Sequence, residues 1–100
     1  MLSSRETHLL IALANRAGRI VGRDELSHLA WGKALRPGDR SVDVYVRRLR
    51  VKLEQAAPGW RFIHTHVGLG YRLAPEWSLV DAESQTQAER SHLFDMNAAE

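Results

Sequence analysis

The longest regular pattern in this chain lies at residues 39–53, which read DRSVDVYVRRLRVKL. Four apolar residues recur in it at intervals of four, three and four residues, which places them on one face of an α-helix. They are Val42, Val46, Leu49 and Leu53. Five Lys or Arg side chains but only one acid, Asp43, lie between residues 40 and 52. The pattern therefore predicts a helix that buries an apolar stripe and turns a basic face outward.

A shorter helix is predicted near the N-terminus. It begins at Ser3 or Ser4, because Ser3 and Glu6 have the spacing of a capping box, in which each side chain binds the free backbone N–H of the other residue. Gly18 is expected to end this helix by adopting a left-handed conformation. Residues 19–21, which are Arg-Ile-Val between glycines, predict a short strand.

A second helix is predicted to begin near Arg23 and to end at Gly32. Its apolar face is expected to be formed by Leu26, Leu29 and Ala30. The polar loop at residues 33–39 contains a Pro-Gly turn signal and leads into the basic helix, for which Asp39 is the expected N-cap. A helix, a loop and a following basic helix indicate a helix-turn-helix.

The C-terminal part of this unit is predicted to be a β-hairpin. Two β-like runs, at residues 60–67 and 70–73, are joined by a short glycine-containing link. The fold class expected is therefore α+β and mainly helical, with three helices and a hairpin that pairs with the short strand. Pro75 is expected to close the domain, so we assign a winged helix domain to residues 1–75 and a flexible acidic tail to residues 76–100.

The charge of the chain is divided between these two parts. The formal net charge is +2, but residues 1–75 carry +7 and residues 76–100 carry −5. A basic body is typical of proteins that meet nucleic acid. The acidic tail has two interpretations: a flexible solubilising segment, or a mimic of DNA that covers the basic face when DNA is absent.

Composition argues against several other classes of protein. The chain has no cysteine, which excludes disulfides and thiolate metal sites and fits a reducing cytoplasm. No apolar run approaches the ~20 residues of a membrane span, and the N-terminal residues show no signal segment, so we expect a cytoplasmic protein that does not bind membranes. His64 and His66 share a strand face but lack a third ligand, so neither a metal nor a cofactor is expected. No catalytic constellation is present, and we expect no enzyme.

The basic helix has the dimensions and chemistry needed to read duplex DNA. A helix of about 14 residues is roughly 21 Å long and fits the major groove. Arginine can hold a phosphate, or the O6 and N7 atoms of guanine, with two hydrogen bonds. The basic face alone is equally compatible with an ordinary solvated helix surface. The preceding helix, the loop and the following hairpin together favour DNA binding.

Residues 2–74 resemble the DNA-binding effector domain of the OmpR/PhoB-type response regulators. Four blocks carry this resemblance, in the order that the family has them. They are LSSRE at 2–6 with leucines at 9 and 10, GRIVGRDEL at 18–26 with AWG at 30–32, the stretch at 39–53, and FIHT with GLGYRL at 62–73. The resemblance implies a winged helix-turn-helix that serves a bacterial two-component transcription regulator and binds double-stranded DNA.

The resemblance also implies roles for individual residues, with the helix at 39–53 as the recognition helix. The base-contacting residues would be Ser41, Arg48 and Arg50. The phosphate-contacting residues would be Trp31, Arg40, Tyr45, Arg47, Thr65 and Tyr71, to which the basic face adds Lys52. The loop at 33–39 would contact RNA polymerase. Family members bind direct repeats as head-to-tail dimers, and phosphorylation of a separate receiver domain promotes this pairing.

The sequence departs from the family's pattern in several places. The family's N-terminal four-stranded sheet is lacking, because Ser3 already caps the first helix, and no receiver domain is present. Val67 occupies the wing position that often holds a minor-groove arginine, which implies a wing that contacts only the backbone or contributes less to sequence preference. Tyr45 stands where histidine is common and keeps a hydrogen-bonding tip. The alternative function is a winged helix protein-interaction module that docks an acidic partner or RNA polymerase.

Overall fold

The computed structural model describes residues 1–77 of the chain, in which three helices and three strands occur. In chain order they are α1 (Ser4–Ala14), β1 (Ile20–Val21), α2 (Arg23–Trp31), α3 (Ser41–Ala56), β2 (Trp60–His66) and β3 (Gly70–Trp77). The predicted fold class, three helices with a C-terminal hairpin, is confirmed. The acidic tail predicted for residues 76–100 lies, from residue 78 onward, outside the described residues. No helix within residues 1–77 is long and apolar enough to cross a membrane.

The three strands form one antiparallel sheet in the order β1-β3-β2. β1 pairs with β3 as predicted, with Ile20 opposite Arg72 and Val21 opposite Tyr71. β2 and β3 are joined by the three residues 67–69, and this hairpin is the wing of the fold. The short strand β1 thus ties the wing to the segment that precedes α2.

β3 continues through Pro75 to Trp77, beyond the predicted end of the strand at Leu73. Its pairing with β2 extends to Trp77, which lies opposite Trp60. Pro75 is compatible with this strand because β1 pairs only with residues 71 and 72. Beyond these residues and Leu73, whose carbonyl accepts from Gly18 N–H, the β1 side of β3 is an edge within the described chain, and a proline without an N–H is tolerated at an edge.

The core contains residues from all six elements. Its buried apolar members are Leu9, Ala12, Leu13, Val21, Leu26, Val42, Val46, Leu49, Ile63 and Tyr71. Leu53, the fourth member of the predicted α3 stripe, is partly buried against this cluster. In α2 the predicted apolar face was partly wrong, because Leu29 is 40% exposed and Ser27 is buried. The side of α2 that meets the core runs through Leu26, Ser27 and Ala30, which leaves Leu29 on its flank.

The end of α1 differs from the prediction. The helix ends at Ala14 rather than at Gly18. The backbone N–H groups of Arg16 and Ala17 donate to carbonyls three residues earlier, which tightens the chain into a turn. The N–H of Gly18 donates to the carbonyl of Leu73 in β3 at 2.8 Å. The chain therefore leaves the helix early because this turn is attached to the sheet.

The two predicted N-caps have different outcomes. The capping box of α1 is confirmed, since Ser3 Oγ accepts from Glu6 N–H at 3.2 Å and Glu6 Oε1 accepts from Ser3 N–H at 2.6 Å. At α3 the N-cap position belongs to Arg40 and not to Asp39. The Asp39 carboxylate, one residue before the N-cap, nevertheless accepts a hydrogen bond from the backbone N–H of Ser41 at 2.8 Å. It therefore satisfies one of the free N–H donors at the start of the helix.

Candidate nucleic-acid interface

α3 presents a continuous surface on the side opposite its buried stripe. The helix has 16 residues and is therefore about 24 Å long. Val44, which is 42% exposed, lies at the centre of this surface. Residues three and four positions away on a helix are neighbours, so Arg40, Ser41, Arg47 and Arg48 surround it. We call these five residues the outward face. Sequence reasoning missed Val44, because an isolated exposed valine leaves no signal in an apolar pattern.

One flank of α3 lies against the end of α2. The Tyr45 and Trp31 rings meet edge to face, with their centres 5.3 Å apart and their planes at 65°. The indole N–H of Trp31 donates to the Arg5 carbonyl at 3.2 Å. This bond joins α2 to α1 and uses the donor that the resemblance assigns to a phosphate.

Two guanidinium groups lie against these rings, one of them against both and the other against Tyr45. The Cζ atom of Arg5 is 5.3 Å from the Trp31 ring centre and 5.8 Å from the Tyr45 ring centre. The Cζ atom of Arg48 is 5.2 Å from the Tyr45 ring centre. Such contacts are attractive because the face of an aromatic ring is electronegative. Arg5 was not among the predicted site residues, since nothing in the sequence shows that α1 begins beside α3.

Asp43, the acid in the first turn of α3, connects the helix to the wing. Its Oδ1 atom accepts from the Arg23 Nε–H at 2.7 Å and from the Tyr71 hydroxyl, and its Oδ2 atom lies 3.6 Å from Arg40 Nη1. Burial raises the pKa of Asp43, but the hydrogen bonds from Tyr71 and Arg23 outweigh it and the pKa is lowered. The pKa of Tyr71 is raised by burial and by its bond to Asp43. The hydroxyl that was predicted to hold a phosphate thus donates within the domain.

Arg50 also connects α3 to the wing. One of its terminal nitrogens donates to Thr65 Oγ1 in β2 at 2.9 Å. Its Nε is buried and has no hydrogen-bond partner among the described residues. The side chains of Arg50 and Thr65 line an open cleft of about 400 Å³ between α3 and β2. The other residues that line it are Glu54, Arg61, Ile63 and His64. A predicted base contact and a predicted phosphate contact are therefore brought together beside the outward face.

Lys52 lies on the same flank of α3 as Tyr45, opposite the wing, and it is held by a buried carboxylate. Its Nζ donates to Glu6 Oε1 at 2.7 Å and to the Met1 carbonyl at 3.0 Å. Glu6 is only 1% exposed, whereas the Lys52 side chain is 40% exposed. The hydrogen bond from Lys52, with a further one from the Ser3 backbone, lowers the pKa of Glu6 from 4.5 to about 2. Lys52 therefore joins α3 to the capped end of α1.

The tip of the wing is apolar, and its histidines have separate partners. Val67 and Leu69 are 91% and 64% exposed. His64 Nε2 lies 2.7 Å from the Ala74 carbonyl, and His66 Nε2 accepts from Arg72 at 3.1 Å. Residues 1–77 contain no cluster of three or more metal-ligating side chains. The wing thus offers van der Waals contact at its tip and the proton of the Thr65 hydroxyl lower down.

The geometry of an outward basic helix beside a β-hairpin can be compared with known proteins. Residues 1–73 match the model of the family described as "Transcriptional regulatory protein, C terminal". The chain belongs to this family. The family is a class of transcriptional regulators and not a class of enzymes.

Individual relatives of this transcriptional regulatory domain agree with that assignment. This chain is 38% identical over 74 residues to AfsQ1 of Streptomyces coelicolor, and the match covers 74% of this chain and 33% of AfsQ1. It is 39% identical over 70 residues to CpxR of Klebsiella pneumoniae, covering 70% of this chain and 30% of CpxR. The chain thus spans about a third of the length of these two relatives. Both are described as transcriptional regulatory proteins.

A solved structure extends the comparison to a complex with DNA. This is the crystal structure of the RstA DNA-binding domain of Klebsiella pneumoniae in complex with the RstA box. It is 38% identical to this chain, with a TM-score of 0.64, and the match covers 74% of this chain and 73% of the other. The winged helix fold implied by the sequence is therefore that of a DNA-binding domain in at least one close relative.

In this transcriptional regulatory domain the ten predicted site residues fall into three places. The outward face holds Arg40, Ser41, Arg47 and Arg48. The flank toward α1 and α2 holds Trp31, Tyr45 and Lys52, and the flank toward the wing holds Arg50, Thr65 and Tyr71. The polar groups of Lys52 and Tyr71 are bonded to carboxylates within the domain. The side chain of Arg47 forms no ion pair among residues 1–77.

Proposed function

We propose that this domain binds double-stranded DNA with α3 in the major groove, as the output domain of a bacterial response regulator. The observation that carries the proposal is the outward face, whose three arginines surround an exposed valine on the side opposite the core. The length and diameter of such a helix match the major groove. The similar RstA domain was solved in complex with its DNA box, which supports DNA binding by this domain.

Bases are read, in this proposal, by Ser41, Arg48 and Arg50. Arg48 has an exposed guanidinium that can donate two hydrogen bonds to the O6 and N7 atoms of guanine. Arg50 is already oriented by Thr65 and retains further N–H donors. Val44 adds an apolar surface of the kind that meets the methyl group of thymine. We therefore expect preference for a site that contains both guanine and thymine.

Phosphates are held mainly by Arg40, Arg47 and the Tyr45 hydroxyl, which flank the base-reading residues on α3. The Thr65 hydroxyl accepts from Arg50 and still has its own proton to donate. The remaining candidates are Trp31, Lys52 and Tyr71. Trp31 and Tyr71 must each exchange a bond within the domain for a bond to phosphate, and Lys52 has one of its three N–H donors left, so we expect smaller effects when these residues are replaced.

The wider partners of the domain follow from the family. The loop at 33–39 is the proposed contact for RNA polymerase, and its shape is fixed in part because Leu35 N–H donates to Asp24 Oδ1 at 3.0 Å. On direct repeats, two copies would bind head to tail, under the control of a phosphorylated receiver domain elsewhere in the regulator. A duplex DNA target also implies that the protein acts in the cytoplasm.

The proposal is tested by fluorescence anisotropy with a selected duplex and a random duplex, each titrated at several salt concentrations. Four to six phosphate contacts imply a log–log slope of about −4 to −5. Arg47→Ala is expected to weaken binding to both duplexes equally and to reduce the slope by about 1. Arg48→Ala is expected to cost about 1–3 kcal/mol on the selected duplex and much less on the random one.

Arg19→Gln serves as the matched control, because Arg19 is exposed and lies in the turn at the far end of α1. It is expected to leave both titrations unchanged. If the folded chain binds neither duplex at low salt, DNA binding is excluded and the protein-interaction alternative is favoured. If Arg47→Ala and Arg48→Ala have the same effect on both duplexes, the division into base and phosphate contacts is wrong.

A further inference from the structure

Arg5 places a guanidinium where all three helices meet. It lies in the first turn of α1, while its aromatic neighbours Trp31 and Tyr45 belong to the end of α2 and to α3. The guanidinium is 5.3 Å and 5.8 Å from the two ring centres. A cation against two ring faces loses much of its freedom to rotate away, so its direction is largely fixed before any ligand arrives.

A second cation lies on the same tyrosine. Arg48 is 5.2 Å from the Tyr45 ring centre, so this ring contacts two guanidinium groups. Both arginines are exposed, and neither forms an ion pair with a carboxylate within residues 1–77. Each guanidinium lies no more than 5.8 Å from the Tyr45 ring centre, so an anion beside this ring is attracted by both positive charges. The arrangement therefore favours an anionic ligand next to Tyr45.

We infer that Arg5 is a further phosphate-binding residue, which contacts the DNA backbone beside α3 and extends the interface onto α1. The inference rests on the proposed function, because a DNA strand reaches this position only when α3 lies in the groove. A guanidinium matches two oxygens of a phosphate with parallel hydrogen bonds. The Trp31 indole N–H is occupied by the Arg5 carbonyl, so at this end of α2 the Arg5 side chain supplies the donors.

The test compares Arg5→Gln with Arg19→Gln, which removes the same charge beyond the opposite end of α1, a helix of 11 residues and about 16 Å. Both are exposed, so circular dichroism is expected to show unchanged folding. Arg5→Gln is expected to make the log–log salt slope about 0.9 less steep. It should weaken binding to the selected and the random duplex by the same factor, about three- to tenfold at low salt, because a phosphate contact carries no sequence information.

Two further measurements identify the contact itself. Arg5→Lys keeps the charge but not the planar fork, so it is expected to keep the salt slope while losing part of the affinity. A neutral methylphosphonate is then placed at each backbone position of the selected duplex in turn. At the position that Arg5 contacts, the wild-type protein should lose affinity and the Arg5→Gln protein should lose none.

The outcomes separate this inference from the proposed function. If the wild-type chain binds DNA with a steep salt dependence but Arg5→Gln behaves like Arg19→Gln, the inference is wrong and the proposed function stands. If affinity falls on the selected duplex alone, Arg5 reads a base and the phosphate assignment is overturned. If the wild-type chain shows no salt-dependent binding, the proposed function fails, and the inference fails with it.

Discussion

The ion pair between Glu6 and Lys52 gives a stability prediction whose size follows from the structure. Glu6→Gln keeps the shape of the side chain and the acceptor for Ser3 N–H, but it removes the charge that attracts Lys52. The depression of the Glu6 pKa from 4.5 to about 2 corresponds to about 3 kcal/mol at 1.36 kcal/mol per unit. Because Lys52 is 40% exposed, screening by solvent reduces the contribution of the ion pair. We expect Glu6→Gln to lower the free energy of unfolding by about 2 kcal/mol.

The pH dependence of this loss has a definite sign. The pKa of Glu6 is lower in the folded protein than its ordinary value, so the ion pair stabilises the fold fully above pH 4.5. The stabilisation is lost as the pH falls from 4.5 to about 2, where Glu6 becomes protonated in both states. The difference between wild type and Glu6→Gln is therefore expected near neutral pH and is expected to shrink toward zero in acid.

Urea unfolding followed by tryptophan fluorescence gives the free energy of unfolding at each pH by linear extrapolation. Glu25→Gln is the matched control, since Glu25 pairs with Arg16 at 3.3 Å but its side chain is 54% exposed, whereas that of Glu6 is 1% exposed. That pair is expected to contribute less than about 1 kcal/mol. A difference between wild type and Glu6→Gln that is the same at pH 7 and pH 3 would show that lost packing, and not the ion pair, is the cause.

Two further predictions concern the attachment of the wing. Tyr71→Phe keeps the buried ring but removes the hydroxyl bond to Asp43, so we expect about 1 kcal/mol of destabilisation by urea unfolding; an unchanged midpoint would argue against that bond. Gly70→Ala is expected to cost about 3 kcal/mol or more, because φ is 141° and an added Cβ would lie 2.1 Å from the Val21 carbonyl oxygen. The control Gly68→Ala has φ of 77° but open space, and about 1–2 kcal/mol is expected from backbone strain alone. Equal losses at the two glycines would contradict the close contact between β3 and β1.

Features that depend on neighbouring residues were predictable from the sequence. The α3 stripe was read from helical spacing, the capping box from the interval between Ser3 and Glu6, and the wing from two β-like runs around a glycine link. Each of these is fixed by backbone geometry over a few residues, so periodicity and residue type are sufficient. The boundaries were less accurate, as the early end of α1 and the continuation of β3 past Pro75 show.

Side-chain partners that are distant in sequence were decided only by the tertiary structure. Lys52 on the basic face and Tyr71 in the wing were both predicted to contact DNA, yet Lys52 bonds Glu6 across 46 residues and Tyr71 bonds an acid across 28. Arg5 had no signal at all, and it joins the interface because α1 begins beside the end of α2 and the first turns of α3. The sequence alone determined the elements, the family and the basic helix. Which cations remain available to a phosphate depends on how the helices cross and on the sheet register, and these long-range contacts are not encoded in any local pattern.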